Sequence, residues 1–111
     1  MTIRYKSETF DLTTTNVTTI LTCPSDATII VKSLQASHRA ASDVSVDAFL
    51  RKSGGSDVEV SFAILNESFE NFVRASLNME ADDILKVQTN TSNAVTGVVS
   101  YALIDRSQEN G

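Results

Sequence analysis

Two side chains of the types that do nucleophilic or metal chemistry occur once each in this sequence, Cys23 and His38. A thiolate–imidazole pair needs the two groups within hydrogen-bond reach and a third group to orient the base. Here one falls in a Pro-containing turn and the other at the end of a predicted strand, so both read as structural. A lone His without a Cys cluster builds no metal site of the His or Cys type. Glu80, Asp82 and Asp83 are the densest carboxylate group, but they lack the alternating spacing and the later bidentate Glu of a calcium loop. They read as a solvated acidic turn. Gly54-Gly55 lies between two predicted strands with no Lys-Ser/Thr behind it, so it is a hairpin turn and not a phosphate cradle. No G-x-S-x-G nucleophile elbow is present. Phe69 and Phe72 offer an aromatic platform for a sugar or a protein, although packing into a core is the commoner use of such residues. The expectation is therefore no catalytic residue, no cofactor, no metal and no enzyme.

The elements that must carry these residues are strands. Alternation of period two dominates, broken at short intervals by turn residues. Thr2–Phe10 reads as a first strand. Val17–Thr22 reads as a second, with Val17, Thr19 and Leu21 on one face. Cys23-Pro24-Ser25-Asp26 turns the chain. Ala27–His38 is a long third strand whose apolar set switches faces between Val31 and Leu34, which implies either that both faces are buried or that a β-bulge lies near Lys32 and Ser33. After a loop at 39–43, Val44, Val46, Ala48 and Leu50 point inward. Residues 52–57 turn, and Val58, Val60, Phe62 and Ile64 form the facing apolar stripe of a hairpin. Residues 66–79 carry apolar residues near helical spacing; the all-β context favours a loop and then a short strand over 75–79. Glu80–Asp83 is a turn, Ile84–Asn90 a strand, and Thr91-Ser92-Asn93 a further turn. Ala94–Ile104 is apolar on both faces, as in the middle of a sheet or at an interface. Gly97 marks a bulge or a close approach. Residues 105–111 read as a frayed tail.

About eight short strands and no convincing helix predict an all-β chain, a single-domain antiparallel β-sandwich or jelly roll over residues 1–111, with residues 1–13 available as an N-terminal arm. The 111 residues carry a net charge of −5 and a pI near 4.6. The nine Lys and Arg are scattered, whereas a nucleic-acid binder needs a basic stripe to displace phosphate counterions. No stretch has the length of a membrane span, and one cysteine forms no internal disulfide. Nucleic-acid and membrane partners are thus not expected. Ser- and Thr-rich strands with few charges leave sheet edges poorly protected against pairing.

Three segments resemble a known group. Thr14–Leu34 contains a strand, a Pro-bearing turn and a strand ending in Val31-Lys32-Ser33-Leu34. Met79-Glu80-Ala81-Asp82-Asp83-Ile84-Leu85-Lys86-Val87 is similar to an L-E-A-G-D-x-L-K-V turn and strand, with Asp82 in the place of Gly; Asp tolerates the left-handed conformation such a turn requires. The third segment is the closing strand, Ala94–Ile104. Together they resemble the small β-sandwich structural proteins of tailed bacteriophages, found as capsid decoration (cement) proteins and in tail or fibre assemblies. The resemblance implies a virion protein assembled in the host cytoplasm, a homo-oligomer whose partners are other virion proteins, first the major capsid protein. It brings no catalytic residues. The contacts expected from it are Ile3, Tyr5 and Phe10 at the N-terminus, and Phe69 and Phe72. A tail, baseplate or fibre component is the alternative within the virion. A carbohydrate-binding module is the alternative of another class, disfavoured by the absence of Trp and the presence of only two Tyr.

Overall fold

A computed structural model describes residues 2–38, 43–65, 69–73 and 77–106, with backbone alone at 62, 63, 65 and 69–73. The strands are β1 (Thr2–Leu12), β2 (Thr18–Thr22), β3 (Ala27–His38), β4 (Val44–Arg51), β5 (Asp57–Leu65), β6 (Phe69–Val73), β7 (Leu77–Met79), β8 (Ile84–Thr89) and β9 (Val95–Asp105). No helix occurs among the described residues. Two antiparallel sheets stack as a sandwich, one in the order β1-β9-β3-β6 and the other β2-β8-β4-β5. β7 pairs with β3 at Ile29–Val31 and β6 pairs with it from Leu34 to Ser37, so these two short strands share one lane. The sandwich therefore has eight lanes.

Inward-facing positions of both sheets make one core. Leu12, Ile29, Val31, Leu34, Val95 and Val99 from the first sheet meet Val44, Val46, Leu85 and Val87 from the second, all buried. The long β3 shifts register against β9 between Val31 and Ser33. Of the two readings of the switch of faces, this is the bulge, and it lets Ile29, Val31, Leu34 and Ala36 all turn inward. β9 lies between β1 and β3, a central strand, which accounts for its apolar character on both faces.

The turns follow their residue chemistry. Pro24 O accepts from Ala27 N at 3.2 Å, and Gly55 N donates to Lys52 O at 2.8 Å. Asp82 has φ 68° and Asn93 φ 57°, the left-handed values that Asp and Asn tolerate best after Gly.

Several expectations are corrected. Val58, Val60 and Ile64 are exposed. Val46 and Val44 stand opposite positions 63 and 65, so Ile64, opposite Ser45, falls on the outer face. Val58 lies beyond the register shift after Ala48, opposite Leu50, and is exposed near the start of its strand. Thr19 and Leu21 do not share a face, because a register shift between them places Thr19 beside Lys86 and Leu21 beside Leu85. Residues 69–73 form a strand rather than a loop, held by β3; residues 66–68 and 74–76 lie outside the described residues. The expected loop at 39–43 falls mostly outside them too, as does the tail from 107. Asp105 is still strand, and Arg106 N donates to Asp26 O at 2.9 Å. The N-terminal segment is not a free arm, since β1 pairs with β9 at every position from Thr2 to Leu12.

Candidate interaction surface

The residues with chemical potential resolve into structural roles. The Cys23 thiol is fully buried and donates to Ala27 O at 3.3 Å. Burial, helped by the Asp83 charge, pushes its pKa up, which keeps the sulfur a thiol and a poor nucleophile. His38 ends β3 and stands opposite Val95, whereas Cys23 lies in the turn before the other end of that strand.

The acidic turn is solvated at Glu80 and Asp82, which are exposed, but not at Asp83. Asp83 is buried, and its carboxylate ties two turns together. Oδ2 accepts from Lys52 Nζ at 2.6 Å and from Glu80 N at 2.9 Å, while Oδ1 accepts from Ser53 N at 3.0 Å. The backbone adds Cys23 N to Asp83 O at 2.9 Å and Asp82 N to Cys23 O at 3.0 Å. Burial alone would raise the Asp83 pKa. The Lys52 ammonium and the two amides outweigh it and hold the carboxyl below its usual range. With its oxygens so occupied, this carboxylate is a structural clamp. Among the described residues, no three His, Cys, Asp or Glu side chains converge as metal ligands would.

A second carboxyl pair lies on the outer face of the second sheet. Burial, then a hydrogen bond to Glu59 and its charge, raises the Asp47 pKa. The neighbouring hollow of about 310 Å³ is polar, lined by Thr15, Ser45, Gln88 and Asn90. Its floor is an open sheet face, which does not exclude water as acid–base chemistry on a substrate requires.

An apolar surface lies on the outer face of the first sheet. Ile3 stands opposite Ile104 and Tyr5 opposite Ala102; across β9, Ala102 stands opposite Ile30. Cross-strand neighbours on one face lie about 5 Å apart, so Ile3, Tyr5, Ile30 and Ile104 form one patch around the buried Ala102. Tyr5 is 80% exposed and Ile3 52%. Such a contiguous patch is characteristic of a contact site, unlike scattered single apolar residues. The exposed β5 stripe is a second apolar strip, on an edge strand of the other sheet.

Of the five contact residues named from the sequence, Ile3 and Tyr5 come together in this patch. Phe10 lies apart, half-buried against Gly97 on the inner face. Phe69 and Phe72 lie in β6, and their side chains fall outside the described residues. Sequence reasoning missed Ile30 and Ile104 as surface residues, because alternation shows which residues share a face but not which face meets solvent.

No protein-family model matches this chain, and no curated protein sequence does. Solved structures do. A chain of the acidic stable capsid of Helicobacter pylori bacteriophage KHP30 superposes with TM-score 0.61 at 14% identity, over 96% of this chain and 90% of that one. A chain of the Bacillus endospore appendages, a family of disulfide-linked pili, superposes with TM-score 0.53 at 15% identity, over 95% and 88%. At these identities the likeness is one of fold.

Proposed function

We propose that this chain is a virion structural protein, a capsid decoration protein that binds the assembled head and stabilises its shell, without catalytic activity. The observation that carries the reading is the whole-length match in fold to a chain of a phage capsid, covering 96% of this protein. We read the strand order, with the last strand inserted between the first and third in one sheet and β8 between β2 and β4 in the other, as that of a jelly roll. This architecture recurs in capsid proteins. The exposed patch around Ile3 and Tyr5 provides the contact, and many symmetric copies let individually weak contacts hold by avidity. The major capsid protein is the partner in this reading, and the virion the location.

A fibre component is the second reading, favoured by the fold match to the endospore appendage chain. Purified protein added to capsids that lack it separates the two. Decoration predicts saturable binding to the shell and a higher temperature of capsid opening. Absence of binding at micromolar concentration, with the chain instead found in a tail or fibre, favours the second.

A further inference from the structure

The two sheets have five edge segments, and four are blunted against further pairing. β2, β5 and β6 each carry a register shift against their partners, and β7 has three residues. Bulges and short length are the usual protections of sheet edges. β1 has neither. It runs 11 residues without Pro, pairs with β9 without a register shift, and is exposed on both faces from Thr2 to Thr9. Among the described residues no strand lies on its other side. Antiparallel pairing turns the N–H and C=O of alternate residues away from β9, so β1 presents a row of main-chain groups ready for another strand.

We infer that β1 pairs antiparallel with β1 of a second copy, in the register centred on Ser7, joining two first sheets into one continuous sheet across a two-fold axis. Charge selects this occupant and this register. Arg4, Lys6 and Glu8 are the charged residues on the inner side of the strand, in register with Leu103, Tyr101 and Val99. Centring on Ser7 places Lys6 opposite the partner's Glu8, and by symmetry Glu8 opposite the partner's Lys6. Centring on Glu8 would set that residue against itself with no opposite-charge pair. Centring on Lys6 would set Lys6 against itself beside two Arg4–Glu8 pairs. Parallel addition in register would oppose like charges at every charged position. Like charges directly opposite destabilise a sheet, so the Ser7 register is favoured as the one that forms opposite-charge pairs and no like-charge pair. In the favoured register Arg4 falls opposite the partner's Phe10, a cation beside an aromatic ring. Glu8 is already oriented, since Tyr101 Oη donates to its Oε1 at 3.3 Å. Lys6 and Glu8 also border the hollow between β1 and β2, lined by Ile20, Leu21 and Leu103. The axis is normal to the sheet, so both Ile3–Tyr5 patches face the same side and stay free. This inference concerns the isolated chain and stands whether or not it binds capsids.

Sedimentation velocity of the purified protein tests it. Wild type is expected as a dimer at concentrations up to about 100 µM. Lys6→Glu and Glu8→Lys, each confirmed as folded by circular dichroism, are expected to weaken the dimer roughly tenfold or more, because each puts two like-charge pairs across the axis. An equimolar mixture of the two variants restores opposite charges at both pairs and is expected to dimerise as wild type does, as is the double variant alone. A monomeric wild type, a dimer indifferent to Lys6→Glu, or a mixture no more associated than its components would each overturn the inference.

Discussion

The Phe10 ring occupies the space that a side chain at position 97 would need. A Cβ built on Gly97 would meet Phe10 Cζ at 2.3 Å and Gln35 O at 2.4 Å. The two residues are register partners on β1 and β9, so Phe10 covers the bare stretch of the central strand as an aromatic covers a glycine across a sheet. The ring can swing aside, but the carbonyl of Gln35 belongs to the neighbouring strand and cannot without breaking the ladder.

Gly97→Ala is therefore expected to destabilise the fold by about 3 kcal/mol, the upper range for overpacking. Pairing it with Phe10→Ala should not recover wild-type stability, because the carbonyl clash remains. Urea denaturation of the single and double variants checks both statements.

Asp83 gives the fold a dependence on acid. Its pKa is lowered in the folded state, so its contribution is present above the unfolded value of about 3.9 and is lost as pH falls through the folded value. Asp83→Asn is expected to cost about 3 kcal/mol at pH 7, since one amide replaces a carboxylate that accepts from an ammonium and two backbone N–H groups. The gap between variant and wild type should narrow below about pH 4, where the wild-type carboxyl takes up a proton. Thermal melts from pH 7 down to pH 2.5 measure it.

Asp47 acts in the opposite sense. Its pKa is raised by burial and by Glu59, so the protonated form favours the fold and that advantage disappears as pH rises through the folded value. Asp47→Asn removes the repulsion and is expected to stabilise the protein at pH 7 by roughly 0.5 kcal/mol, the scale of like charges meeting on a sheet face. Melting curves at pH 7 and pH 4 should show the gain at the higher pH only.

Much of the architecture was legible because strand periodicity and turn chemistry are local. The bulge at Lys32 is one of the two arrangements that apolar residues changing faces imply, and the turn at Asp82 follows from a residue type that accepts positive φ. What escaped was set by distant partners. Val58, Val60 and Ile64 alternate as a core face does, yet all three are exposed, Ile64 because the register with β4 sets it opposite Ser45. Asp83 looks like any acid in a polar turn, and only the approach of Lys52 and Ser53 from another hairpin makes it a buried clamp. Ile3 and Tyr5 stand out as apolar residues on a terminal strand, but that they meet Ile30 and Ile104 depends on β9 lying between β1 and β3.

The claim on which the functional reading turns is that the outer face of the first sheet grips a capsid. Binding of wild type and of the Ile3→Ser/Tyr5→Ser double variant to capsids lacking this protein, followed by sedimentation, tests it most directly. Both side chains are exposed, so the variant should fold with stability within about 0.5 kcal/mol of wild type. Wild type should bind saturably, and the variant at least roughly tenfold more weakly, the loss expected when two apolar side chains no longer leave water. Equal binding of the two proteins, or no binding of wild type at micromolar concentration, would contradict the account.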